Sequence, residues 1–139
     1  MDRNLILLPV LFQVALTLLL FIRLGAVKSR AVRLGEVDER RRALHKDAWP
    51  DYVLKVANNI DNQFETPVLF YVLSFMAWAN DGVDWLLLSL CWAFVGTRLV
   101  HAYIHVGANL VARRRKVFTG GVLILVLFTA LNLRPFLAL

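Results

Sequence analysis

The chain has 139 residues, of which 59% are hydrophobic and only 19% are charged. These values lie far from those of an ordinary soluble domain and predict an integral membrane protein. The net charge of +6 does not indicate nucleic-acid binding, because the basic residues flank the apolar segments, and anionic lipid headgroups are the expected electrostatic partner.

The first apolar segment predicts a membrane-spanning helix over about residues 4–26, since residues 5–22 carry no charge. It lacks the strongly basic leader and the small-residue cleavage site of a signal peptide, so we expect it to be retained. Lys28 follows this helix and begins the longest expected loop, residues 28–49, which is rich in basic side chains.

The second span is less obvious, because its apolar part, residues 66–80, is too short to cross a bilayer alone. Extending the helix back to Asp51 reaches bilayer length and predicts one continuous helix over about residues 51–79. The extension adds a polar face, because positions three, four and seven apart lie on the same side of a helix. That face carries Asn58, Asp61, Asn62 and Glu65.

The third span is expected over about residues 85–112 and the fourth over about residues 117–138, with a basic loop at residues 113–116 between them. The turn at residues 80–84 has no basic residue. The positive-inside rule therefore puts both basic loops in the cytosol and both termini outside it. The four spans are expected to form one all-α bundle domain over residues 1–139.

Three ionisable residues, Arg98, His101 and His105, share one face of the third span. Ionisable groups in hydrocarbon are costly, and they mark buried pairs or binding sites. Because Glu65 and Arg98 are expected at similar depth, we predict a structural ion pair between them, with Asn62 facing His101 one turn towards the cytosol. The alternative is a polar network that fixes helix packing without binding a ligand.

A polar cleft that opens onto Arg114 favours an anionic small molecule. A metal site is disfavoured, although two histidines lie four residues apart, because no cysteine or further histidine is near and Arg98 would repel a cation. The one cysteine, Cys91, is expected to pack in the core.

Two motifs resemble those of the MAPEG family (membrane-associated proteins in eicosanoid and glutathione metabolism). One is Asn62-Gln63-Phe64-Glu65-Thr66-Pro67, similar to the family's N-x-x-E sequence with a proline close behind. The other is Arg98-Leu99-Val100-His101, similar to its R-x-x-H or R-x-x-Y sequence. The resemblance is clearest over about residues 55–120, and it implies a four-helix protomer that assembles into a homotrimer.

The resemblance also implies that glutathione binds between neighbouring protomers in the cytosolic half of the membrane. An arginine that matches Arg114 would stabilise the glutathione thiolate, which attacks an electrophilic carbon or a hydroperoxide arriving from the lipid. Arg114 is thus the implied catalytic residue. The implied glutathione-binding residues are Lys28, Asn62, Glu65, His101, His105 and Arg114.

Four positions depart from the glutathione-using members that the chain resembles. His105 and Phe118 stand in place of tyrosines, Arg115 in place of a serine, and Asp61 in place of an arginine. Two functions remain open. One is a detoxifying glutathione transferase or peroxidase that acts on lipophilic small molecules, and the other is a non-catalytic membrane scaffold or lipid-binding protein. The compact loops favour a bacterial inner membrane.

Overall fold

The computed structural model describes residues 1–137, and helices are the only regular elements in that part of the chain. The expected all-α class is confirmed. The predicted end of the fourth span, residue 138, lies outside the described residues. The helices are α1 (Leu7–Arg33), α2 (Asp51–Gln63), α3 (Thr66–Ala79), α4 (Trp85–Val106), α5 (Val111–Asn132) and a short α6 (Arg134–Leu137), with 3₁₀ turns at Arg3–Ile6 and Lys46–Ala48.

Three stretches of helix are long and apolar enough to cross a membrane: Arg3–Arg33, Trp85–Val106 and Val111–Leu137. Large apolar side chains, such as Leu19 and Ile22, stay more than half exposed on their surfaces. A soluble protein would bury such surface, whereas lipid tails solvate it without cost. The helices therefore suit an integral membrane protein.

The loop between α4 and α5 comes earlier than the sequence predicted. α4 ends at Val106, because the chain leaves the helical conformation at Gly107 and takes a left-handed φ of 50° at Asn109. Asparagine tolerates that conformation better than most residues. α5 begins at Val111, so residues 113–116, predicted as a loop, are helical. Arginine and lysine are good helix formers, and Arg114 consequently projects from a regular helix.

The second span departs most from the prediction. The expected continuous helix over residues 51–79 is broken at Phe64 and Glu65 into α2, with 13 residues, and α3, with 14. Pro67 explains the break, because it has no N–H to donate to the carbonyl of Gln63 and its ring would clash there. In the first turn of α3 the proline costs no hydrogen bond, since N–H groups there have no partner within the helix.

Together α2 and α3 run the length of the neighbouring helices. Both pack antiparallel along α4: the Nδ2 of Asn59 in α2 donates to the Ala102 carbonyl at 3.2 Å, and the Ser74 hydroxyl of α3 lies 4.0 Å from Cys91 Sγ. Both also contact α1. We infer that the two short helices in succession take the place of one spanning helix.

The apolar core joins α3, α4 and α5 towards the α3–α4 turn. The rings of Phe70 and Phe94 stack with their centroids 4.8 Å apart, and Phe128 packs on Phe70. Cys91 is fully buried in the same cluster. This core sets α4 against α5 and so fixes the register of the polar side chains that follow Phe94 along α4.

Candidate functional site

The polar face of α4 points into the protein. Arg98 and His101 are 2% exposed and His105 is 3% exposed. One nitrogen of each side chain is buried without a hydrogen-bond partner: Arg98 Nε, His101 Nδ1 and His105 Nδ1. Buried polar atoms are normally satisfied, so unpaired ones indicate a place for water or a ligand.

Arg98 is not held by the carboxylate that the sequence predicted. Its Nη2 donates to the main-chain carbonyl of Asn62 at 3.1 Å, and its Nη1 lies 3.5 Å from the hydroxyl of Thr66. Among the described residues it forms no ion pair with Glu65, which is exposed. The helix break explains the difference, because it frees a carbonyl at the end of α2 for the guanidinium.

The predicted polar face of α2 exists, but most of it points away from α4. Asn58, Asp61 and Glu65 are exposed, and only Asn62 is half-buried. Asp61 accepts a hydrogen bond from Lys46 Nζ at 2.7 Å, which compensates its charge. The structure thus brings Asn62 alone of this face to the buried side chains of α4.

A cavity of about 270 Å³ lies where α2, α4 and α5 meet. It brings together three of the implied glutathione-binding residues, Asn62, His101 and Arg114. Phe118 forms part of its wall, with its ring centroid 5.9 Å from that of His101. The full lining is Asn62, His101, Val111, Arg114, Arg115 and Phe118.

The cavity suits an anion. Two guanidinium groups line it, and no acidic residue does. Arg114 is oriented by a hydrogen bond from its Nη1 to Asn109 Oδ1 at 2.7 Å. Asn109, which has the left-handed φ in the turn before α5, therefore positions the guanidinium. Planar guanidinium groups bind anions such as carboxylates and phosphates through paired N–H donors. Among residues 1–137, no group of three or more His, Cys, Asp or Glu side chains could hold a metal ion.

The remaining predicted binding residues lie outside this cavity. Lys28 packs its Nζ 4.8 Å from the ring centroid of Trp49, beside the connection between α1 and α2. Glu65 faces outwards at the helix break. His105 is buried one turn from His101, with the ring centroids 5.7 Å apart, but it does not line the cavity.

Sequence reasoning missed a buried amide network that links three helices. Gln13 of α1 donates through Nε2 to Gln63 Oε1 at 2.8 Å, and Gln63 donates to Asn59 Oδ1 at 3.1 Å. Asn59 in turn donates to the Ala102 carbonyl, next to His101. A signal was present, because Gln13 is an amide within an otherwise apolar span, and polar groups in hydrocarbon seek partners.

An apolar groove of about 340 Å³ lies between α3 and α5. It begins at Thr66 and Val122, each four residues beyond a residue that lines the cavity, Asn62 and Phe118 respectively. On α5, Phe118 and Val122 are about one helical turn apart. On the other side, Asn62 and Thr66 flank the break between α2 and α3, so the groove starts next to the cavity.

Comparison with known proteins identifies one family. The model of the MAPEG family matches residues 6–134, nearly the whole chain, which bears out the resemblance that the two motifs predicted. The chain matches no curated protein and no solved structure.

Proposed function

The chain belongs to the MAPEG family, and from that premise we propose that it is a membrane-bound glutathione transferase or peroxidase for lipophilic electrophiles. One observation carries the proposal: Asn62, His101 and Arg114, from three different segments, line one cavity that has two guanidinium groups and no acid. An arrangement that served helix packing alone would not require this uncompensated positive charge.

The lining residues fit glutathione, which carries two carboxylates and a thiol. Arg115 and Arg114 offer planar donor groups for anions. The buried, unpaired Nδ1 of His101 and the side chain of Asn62 offer further polar contacts. Asp61, which on sequence grounds opposes a carboxylate ligand, is paired with Lys46 and does not line the cavity.

When bound, glutathione would supply a sulfur nucleophile that displaces a leaving group from an electrophilic carbon. Alternatively, two glutathiones would reduce a hydroperoxide to an alcohol and water and become a disulfide. The chain's own contribution is electrostatic. Arg114, held by Asn109, favours the thiolate over the thiol, since a cation lowers the free energy of the charged form. The Phe118 ring adds apolar surface beside the guanidinium groups, and charges interact more strongly next to such a surface than in water.

We propose that the second substrate reaches the cavity through the groove between α3 and α5. Its lining is almost wholly aliphatic, apart from the hydroxyls of Thr66 and Thr129. Such a surface suits an apolar molecule dissolved in the bilayer and offers no charged group for recognition. We therefore propose that the second substrate is a lipophilic electrophile and that the groove accepts a range of such molecules.

We further propose a homotrimer as the working form, in a bacterial inner membrane with both termini outside the cytosol. The exposed α2 face supports assembly, because Asn58, Asp61 and Glu65 next to apolar helices would be costly in contact with lipid. A neighbouring copy would cover them. Glu65 is proposed to reach the glutathione of an adjacent protomer, and His105 is proposed to position the ring of His101.

The second candidate is a non-catalytic scaffold or lipid-binding protein. Two lining residues favour this candidate, because Arg115 and Phe118 stand where the resemblance implies a serine and a tyrosine. As a result, no side chain that lines the cavity carries a hydroxyl group. A hydroxyl that donates to the sulfur would therefore be missing.

Conjugation of glutathione to chlorodinitrobenzene tests the choice. We expect turnover by the detergent-purified protein. Arg114→Ala should lower kcat/KM about a hundredfold, because removal of one donor that stabilises charge in a transition state has an effect of this size. Arg113→Ala is the matched control, because Arg113 is adjacent and exposed but does not line the cavity. Absence of turnover by the folded wild type would favour the non-catalytic alternative, whereas equal losses in both variants would exclude a specific catalytic role for Arg114.

A further inference from the structure

We propose that a second cavity, at the connection between α1 and α2, binds the phosphate of an anionic phospholipid. This cavity, here called the connection pocket, has a volume of about 230 Å³. It is bounded by Lys28 near the end of α1, by residues 42–46 and Trp49 of the connection, and by Val53, Leu54 and Ala57 of α2. It shares no residue with the cavity that contains Arg114.

The lining of the connection pocket combines two kinds of chemistry. Lys28, Arg42, His45 and Lys46 supply basic groups, and the α2 residues that line it supply an aliphatic surface. A phospholipid has the same combination, with a charged phosphate next to an apolar glycerol ester and acyl chains. A soluble anion would gain nothing from the aliphatic surface, whereas a lipid uses both.

Ion pairs within the chain leave part of the positive charge available. Arg42 Nε pairs with Glu39 at 2.9 Å, and Lys46 Nζ pairs with Asp61 at 2.7 Å. Within the part of the chain that the structure describes, Lys28 forms no ion pair with a carboxylate and rests on the face of Trp49. The lysine is thus the cation best placed to receive an external anion.

Trp49 holds the pocket in shape. Its indole N–H donates to the Arg42 carbonyl at 3.3 Å, while its ring carries the Lys28 ammonium at 4.8 Å. Tryptophan is enriched at membrane–water interfaces, where one edge meets polar groups and the ring meets acyl chains. These features indicate a site at the height of lipid headgroups.

This inference does not depend on the proposed glutathione chemistry. It assigns Lys28 to a lipid phosphate, whereas the resemblance implies glutathione. Basic pockets between helices at the cytosolic face are a recurrent site for anionic headgroups, and each lysine near such a surface contributes enough for a severalfold change in affinity.

Native mass spectrometry of the detergent-purified protein, titrated with dioleoyl phosphatidylglycerol, tests the proposal. We expect saturable binding and little retention of dioleoyl phosphatidylcholine. Lys28→Gln should weaken phosphatidylglycerol binding about fivefold. Arg33→Gln, which removes the same charge from the same helix end without lining the pocket, should leave the affinity within about a factor of two of the wild type.

Three results would overturn the proposal: equal effects of Lys28→Gln and Arg33→Gln, displacement of the lipid by millimolar inorganic phosphate, or its displacement by glutathione. The second result would indicate a site for free phosphate, and the third a site for the tripeptide. Should Lys28→Gln fail to fold, His45→Gln probes the same pocket from an exposed position, and we expect it to weaken phosphatidylglycerol binding because His45 lines the pocket.

Discussion

At the scale of single residues, Arg98 is held in the interior by the end of a broken helix. Its guanidinium donates to the carbonyl of Asn62, which has no partner within α2. The spacing of three and four residues predicted correctly that Arg98, His101 and His105 share a face. It could not predict the acceptor, because that carbonyl becomes available only where Pro67 breaks the helix.

Arg98→Ala should therefore destabilise the protein more than Glu65→Gln. The first change leaves a buried carbonyl unpaired, at a cost of about 1–3 kcal/mol in the free energy of unfolding. Glu65 is exposed in the chain, and glutamine preserves its shape. Denaturant unfolding of both variants in the same detergent measures the difference. A larger loss of unfolding free energy for Glu65→Gln would contradict this account and favour the ion pair between Glu65 and Arg98 that the sequence predicted.

Asp84, outside the spanning helices, gives a pH dependence. It caps α4 by accepting a hydrogen bond from the Leu87 N–H at 2.8 Å, and Arg134 lies 2.9 Å away. The Leu87 hydrogen bond, followed by Arg134, holds the pKa of Asp84 below its ordinary value of 3.8. The folded state thus binds its proton less readily than the unfolded state, so the stabilisation is complete above pH 3.8 and is lost as the pH falls through the lowered pKa.

Asp84→Ala should lower stability at pH 7 by about 1 kcal/mol, as for loss of a helix cap. Asp84→Asn keeps an acceptor oxygen and should retain most of the cap while removing this residue's contribution to the acid dependence. Thermal unfolding between pH 3 and pH 7 separates the two effects. An unchanged acid profile in Asp84→Asn would exclude the carboxylate as its source.

At the scale of helices, the network of Gln13, Gln63 and Asn59 links α1 to α2 and α2 to α4. Apolar length and composition predicted α1, α4 and α5, because a bilayer imposes both. The break between α2 and α3 follows from Pro67, whose effect the length requirement concealed. The network itself needs three helices in contact, which no periodicity in one segment reveals.

We expect a double-mutant cycle between Gln13→Leu and Gln63→Leu to give a coupling of about 0.6 kcal/mol, typical of interhelical hydrogen bonds in membranes. Thr129→Val is a control, because Thr129 bonds only within α5, to the Leu125 carbonyl. Its effect should be additive with Gln13→Leu. Additivity of the two glutamine changes would mean that their hydrogen bond contributes nothing to stability.

At the scale of the whole molecule, the site is divided between what one chain supplies and what a neighbour is proposed to supply. One chain gathers Asn62, His101 and Arg114, whereas Lys28 and Glu65 lie elsewhere on its surface. Sequence motifs identify the family but not which copy contributes each residue, because that depends on assembly.

Assembly is directly measurable. Light scattering after size-exclusion chromatography in detergent should give a protein mass of three protomers for the wild type. Glu65→Arg should weaken the assembly, because it adds unpaired positive charge to the face that a neighbour is proposed to cover. Leu19→Arg, on the apolar outside of α1, controls for a charge introduced on the surface. A monomeric wild type would contradict the shared site.

The central claim is that Arg114 ionises a bound thiol, and ultraviolet difference absorbance of the glutathione thiolate tests it most directly. Titration of glutathione into the detergent-purified wild type should give a saturable thiolate signal at neutral pH. Arg114→Ala should abolish the signal while leaving the protein folded, and Arg113→Ala should preserve it. A folded wild type that binds glutathione without forming the thiolate, or an Arg114→Ala variant that keeps the full signal, would contradict the account.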